Sequence, residues 1–150
     1  MAIQSEHSDK LIRALLIEDD PDDVDLLRRS VSMNDFEIQF DVVDNGEDAL
    51  QYLTQGAGSL KKQLPDIVFL DLNLPRLNGK KVLRSIRKRF DSSELIVIIF
   101  TTSSAQEDME QCYELDANCF ISKPVTLEGY VDVMKGIHGF WLNTSSLGSC

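Results

Sequence analysis

Cysteine, proline and glycine are all sparse: three Cys, four Pro and eight Gly in 150 residues. Three cysteines without a C-x-x-C pair argue against a disulfide framework and against a zinc site, and fit a reducing compartment. Few glycines and prolines exclude collagen-like and low-complexity architectures. No apolar run approaches the roughly 18 residues that a membrane span needs, and the first nine residues lack the basic and apolar regions of a signal peptide. A cytoplasmic protein without a membrane role is expected. Basic residues are outnumbered, fifteen against twenty-five acidic, for a formal charge of -10. Such a field repels phosphate backbones, so nucleic acid is not an expected partner.

What is present is enough for one globular domain, with 43% apolar residues to bury. Five short apolar runs recur: Ala14 to Ile17, Ile38 to Val43, Ile67 to Leu70, Leu95 to Phe100, and Cys119 to Ile121. Between and after them come stripes at helical spacing, namely Val24/Leu27/Val31, Ala49/Leu50/Leu53, Val82/Leu83/Ile86, Met109/Cys112/Tyr113 and a last one from Leu127 to Trp141. This βα rhythm predicts an α/β protein of the flavodoxin-like (βα)5 class, a parallel sheet of order 2-1-3-4-5 with helices on both faces. Three of the runs are almost wholly apolar and belong near its centre. Residues 1–11 read as a flexible polar arm, 12–142 as the domain and 143–150 as a tail. Gln55 to Gln63 reads as a mobile surface loop.

Ligands of an open parallel sheet bind at the carboxyl ends of its strands. Those ends carry Glu18-Asp19-Asp20, Asp71, Thr101-Thr102 and Ser122-Lys123-Pro124. Carboxylates converging at ~4 Å repel by about 4 kcal/mol per pair at an effective dielectric near 20, so a cation must intervene. All-oxygen ligands favour a hard ion, Mg²⁺ being the natural occupant. A carboxylate beside Mg²⁺, with an ammonium and a hydroxyl aimed at one point, suits phosphoryl transfer to an aspartate, and Asp71 is the best-placed nucleophile.

These residues, in this order and spacing, resemble a response-regulator receiver domain. The likeness rests on Glu18-Asp19, Asp71-Leu-Asn-Leu-Pro-x-x-x-Gly79, Thr101 and Lys123-Pro124, and covers roughly residues 11–140. Thirty positions separate Asp71 from Thr101, and twenty-two separate Thr101 from Lys123. The resemblance implies that Asp71 is the phosphoacceptor, that Asp19 and the Asn73 carbonyl ligate Mg²⁺ directly, and that Glu18 does so through water. It further implies that Thr101 moves onto the phosphoryl group, that Phe120 rotates with it, that Lys123 grips a phosphoryl oxygen, and that Lys123–Pro124 is cis. Glu18-Asp-Asp-Pro-Asp-Asp23, Thr101-Thr-Ser-Ser104 and Gly139-Phe-Trp-Leu-Asn143 look most like the small single-domain regulators paired with cyanobacterial phytochromes. That implies a phytochrome-type histidine kinase as donor and a homodimer. The protein would catalyse only its own phosphorylation and dephosphorylation.

Blander readings exist for several of these residues. Asp20, Asp22, Asp23 and Asp25 fit a helix cap and a solvated face, and Lys80, Lys81, Arg84, Arg87, Lys88 and Arg89 another. Phe120 fits a core position as well as a switch. Phe140 and Trp141 fit either a subunit interface or packing back on the domain. Ser103 and Asn73, each two beyond a key residue, are ordinary loop residues or modulators of acyl-phosphate hydrolysis. Cys112 and Cys119 read as core, Cys150 as an exposed thiol, and His7 and His138 receive no role. Three other functions share parts of this pattern. A flavin carrier would need an anion-binding loop where Glu18-Asp19-Asp20 stands. An aspartate-nucleophile phosphatase would need a second acid where Asn73 stands. A constitutive dimer scaffold would need no site at all.

Overall fold

The computed structural model describes residues 11–58 and 64–144. Strands β1 (Ile12–Ile17), β2 (Ile38–Val43), β3 (Ile67–Leu70), β4 (Ile96–Thr101) and β5 (Cys119–Ser122) alternate with helices α1 (Pro21–Ser32), α2 (Gly46–Gly58), α3 (Gly79–Arg89), α4 (Gln106–Glu114) and α5 (Leu127–Thr144). All strand pairs are parallel and the order is β2-β1-β3-β4-β5. The three most apolar strands are indeed the inner ones, because a strand covered on both faces has no solvent side to supply with polar residues. Most of the N-terminal arm, the end of the tail and positions 59–63 lie outside the described residues.

Alternation along each strand divides the core in two. Leu15, Ile17, Val68, Leu70, Val97 and Ile99 face α2, α3 and α4 through Leu53, Val82, Ile86 and Cys112. Ala14, Leu16, Phe69, Ile98 and Phe100 face α1 and α5 through Leu27, Val31, Tyr130 and Met134. An aromatic chain runs through the second layer, Phe69 to Phe100 at 6.3 Å and Phe100 to Tyr130 at 5.7 Å, both edge-on.

Local chemistry fixes where the helices start. Asp20 caps α1 by accepting from the Asp22 amide at 2.9 Å, and Pro21 begins the first turn. Asn78 caps α3 by accepting from the Lys81 amide at 3.1 Å. Gly79 is required by close approach: a Cβ there would lie 2.4 Å from the Asp71 carbonyl oxygen and 2.6 Å from the Leu72 Cα. The loop carrying Asp71 therefore folds directly over the start of α3.

Several expectations are corrected. Helix α2 continues to Gly58, so Gln55 to Gly58 is helix and not loop; glycine costs a helix only about 1 kcal/mol and does not forbid it. The bond between Lys123 and Pro124 is trans, an X-Pro peptide preferring trans by about 0.5–1 kcal/mol unless its surroundings decide otherwise. Arg87 is no solvated residue. Its guanidinium donates to the carbonyls of Phe90, Asp91, Leu95 and Asp116 and to Asn118 Oδ1, at 2.7–3.2 Å. Cys112 is a buried free thiol and Cys119 is buried on β5, both in the core as expected.

Candidate functional site

Each inner strand of the sheet delivers one polar group at or just beyond its last residue. Glu18 follows β1, its amide still bonded to the Val43 carbonyl at 2.9 Å, and Asp71 follows β3, its amide bonded to the Ile17 carbonyl at 3.2 Å. Thr101 ends β4, and the Lys123 amide donates to its carbonyl at 2.7 Å. The ladder thus carries the register of the apolar strands straight into the site. Glu18, Asp71 and Thr101 are buried, while Asp19 is exposed.

One oxygen each from Glu18, Asp19 and Asp71 lies within 4.8 Å of the other two. Around them opens a cleft of about 440 Å³, bordered also by Asp23, Asn73, Thr102 and Lys123. The donors are all carboxylate oxygens, the chemistry a hard divalent cation prefers, and water from the open side can complete an octahedron. Mg²⁺ fits this set.

Lys123 stands opposite. Its Nζ donates to Glu18 Oε1 at 2.6 Å, to Asp23 Oδ2 at 2.6 Å and to Asp71 Oδ2 at 3.1 Å, which uses the ammonium's three N–H groups. Only 3% of the side chain is exposed. Burial opposes its charge, but the bonds to Asp23 and Glu18 and the field of Asp71 outweigh that and raise its pKa. Burial pushes Glu18 up to about 7, reinforced by the charge of Asp71 and only partly offset by the bond to Lys123. Burial acts on Asp71 too, but the Asn73 amide, Lys123 and a Thr101 hydrogen bond together hold it below the ordinary carboxylate value. Two neighbouring carboxylates are thereby set apart, with Asp71 kept anionic, as a nucleophile must be.

The expected residues therefore converge, with particulars that composition could not show. Thr101, not Thr102, faces Asp71; Thr102 lies at the rim and accepts from Asn73 Nδ2 at 3.3 Å. Lys123 bonds Asp71 at 3.1 Å, and the buried Thr101 hydroxyl accepts from the Ser103 amide at 3.5 Å. Asp23, read as part of a solvated face, is a direct partner of Lys123. Pro21 and Asp23, in the first turn of α1, border the cleft, and the run of acids alone hides which member points inward. Phe120 is away from the cleft, buried at the core beside α4, its amide donating to Tyr113 Oη at 3.1 Å. Phe140 borders a separate apolar groove with Ile98, Ile121, Val133, Gly136 and Ile137; the side chain of Trp141 lies outside the described residues.

The model of the response regulator receiver domain matches residues 14–135. The chain belongs to that family. It is 31% identical over 133 residues to the response regulator Rcp1 of Synechocystis sp., covering 89% of this chain and 90% of Rcp1. The Mn²⁺-bound crystal structure of Rcp1 superposes with a TM-score of 0.75 at 30% identity, over 89% of this chain and 96% of that one. The phosphorylated cyanobacterial phytochrome response regulator RcpA gives a TM-score of 0.77 at 31% identity, over 90% and 96% of the two chains. RPA3017, a response regulator in red light signalling of R. palustris, gives 0.79 at 30% identity, over 93% and 99%. This receiver is thus related to phytochrome response regulators, and phosphorylation is a feature of its family. Among the described residues no helix is long and apolar enough to cross a membrane.

Proposed function

We propose that this receiver takes a phosphoryl group from a phytochrome-type histidine kinase onto Asp71 and uses the resulting acyl phosphate to switch a dimerisation or docking face. The convergence of Asp71, Glu18, Asp19 and Lys123 at the carboxyl end of the sheet carries this reading. An Asp71 oxygen forms the new O–P bond as the P–N bond to the donor histidine breaks, the imidazole leaving with a proton. Lys123 and Thr101 meet the charge that gathers on the phosphoryl oxygens. Glu18, Asp19, Asp71 and the Asn73 carbonyl would hold Mg²⁺, which when bound neutralises carboxylate and phosphoryl oxygens together. Phe120 transmits the change towards α4, β5 and α5, where Phe140 and Trp141 supply apolar surface for a second copy. The switching unit is residues 12–142, and 1–11 and 143–150 are appendages.

The rival chemistries find no support. Five acids crowd the loop after β1 and the first turn of α1, a poor seat for a flavin phosphate. Asn73, tied to Thr102, offers no general acid for a phosphatase.

The test is phosphotransfer from an autophosphorylated phytochrome-type kinase, followed by sedimentation velocity. Label on wild type and none on Asp71→Ala, with a shift in the monomer–dimer balance, is the expected result. Label that survives in Asp71→Ala would overturn the assignment, and an unchanged dimer after full labelling would reduce the protein to a constitutive scaffold.

A further inference from the structure

The segment after Thr101 is held from an unexpected direction. Ser103 Oγ donates to Asp108 Oδ2 at 2.6 Å, and the other oxygen of Asp108 accepts from Lys80 Nζ at 2.6 Å. Lys80 also donates to Gln111 Oε1 at 2.5 Å. Ser103 is itself fixed on its other side, its carbonyl accepting from Ser122 Oγ at 3.1 Å. Lys80 follows Gly79, whose amide donates to the Leu72 carbonyl inside the Asp71 loop at 3.0 Å. A continuous chain of bonds therefore leaves the Asp71 loop, crosses from α3 to α4, and returns to the residue two beyond Thr101.

We infer that Lys80 and Asp108 are positioning residues that hold the Thr101 segment against Asp71 before any phosphoryl group arrives. The inference rests on the phosphoacceptor reading and deepens it. With the chain intact, Thr101 is fully buried and its hydroxyl oxygen accepts from the Ser103 amide at 3.5 Å, so whatever holds Ser103 also fixes the Thr101 side chain. A hydroxyl already in place costs no ordering when the anion binds, and preorganisation of this kind appears as affinity. Lys80 and Asp108 are each about 30% exposed, at 30% and 29%, so neither is essential to the core. Neither touches the carboxylates that would hold the metal. The chain therefore acts on the anion and not on the cation.

The probe is beryllofluoride, a phosphoryl mimic, titrated at saturating Mg²⁺ and followed by amide NMR, with Mg²⁺ affinity measured separately. Asp108→Ala, Lys80→Met and Ser103→Ala should each weaken beryllofluoride binding roughly three- to tenfold and leave Mg²⁺ affinity within about twofold. The Lys80/Asp108 double variant should be no weaker than either single one, because both break the same chain. Ser103→Thr, which keeps the hydroxyl, should bind like wild type. Unchanged or tighter anion binding in the three variants, or an equal loss of Mg²⁺ affinity, would overturn the inference. A wild type that fails to bind beryllofluoride would instead overturn the phosphoacceptor reading itself.

Discussion

Lys123 Nζ sits as close to Asp23 Oδ2 as to Glu18 Oε1, 2.6 Å in each case. Asp23 lies outside the trio of acids that can share a metal, so it would remain a partner for Lys123 if Glu18 and Asp71 held a cation. Removing the lysine would leave three carboxylates around an uncompensated point. Lys123→Met should destabilise the metal-free protein by about 3–5 kcal/mol, the usual cost of orphaning buried charge. Asp23→Asn should cost about 1 kcal/mol. The double variant should fall short of their sum by about 1–2 kcal/mol, because loss of Asp23 relieves the repulsion that loss of Lys123 creates. Urea denaturation without divalent ions measures all three.

The pH dependence follows from Glu18, whose carboxyl is raised to about 7 from an ordinary 4.5. The native state binds more protons than the unfolded one between those values, so the Glu18 contribution to stability falls as pH rises through that window. Asp71 behaves oppositely. Its depressed pKa gives stability that is present above the ordinary 3.8 and is lost only as pH drops through its lower native value. Asp71 therefore stays ionised where Glu18 titrates, and an Mg²⁺ ion held by both would have to displace a proton from Glu18 below about pH 7. Mg²⁺ affinity should fall several-fold from pH 8 to pH 6 in calorimetric titrations, and Glu18→Gln should flatten that profile.

Arg87 tests the scaffold apart from the site. Its fork ties the end of α3 to the loops before β4 and β5, at the opposite end of the sheet from Asp71. A lysine cannot span those acceptors. Arg87→Lys and Arg87→Met should each lose about 2–3 kcal/mol in chemical denaturation, with unaltered Mg²⁺ affinity at temperatures where the variants remain folded.

Much of this architecture could be read from residue order. The bounds of β2 and β3 emerge unchanged because sharp apolar runs end in charged or turn-forming residues, and the inner position of β1, β3 and β4 follows from their lack of a polar face. Glu18, Asp71, Thr101 and Lys123 were visible because each follows such a run within two residues. Asp23, Arg87 and the Lys80–Asp108 pair were not, since charged residues on a helix look alike until the neighbouring element is known. Lys80 and Asp108 are 28 positions apart and meet only because α3 and α4 cover the same side of the sheet. The trans bond at Pro124 had no local signal either.

Gly79 links fold and chemistry, because a side chain there would press on the backbone of Asp71 and Leu72. Gly79→Ala should cost about 1–3 kcal/mol through overpacking. Because the obstacle is backbone, the Asp71 loop must shift, and labelling by acetyl phosphate should slow by more than the stability loss explains. A rate equal to wild type at a temperature where the variant is folded would show that the loop tolerates the shift.

The most direct measurement is intact-protein mass after incubation with acetyl phosphate and Mg²⁺, with Asp71→Ala and metal-free samples alongside. The account predicts a single phosphoryl adduct that hydroxylamine removes and that requires both Asp71 and the metal. An adduct that forms without Asp71, or none at all when another receiver is labelled in the same buffer, would contradict Asp71 as the self-phosphorylating centre of this protein.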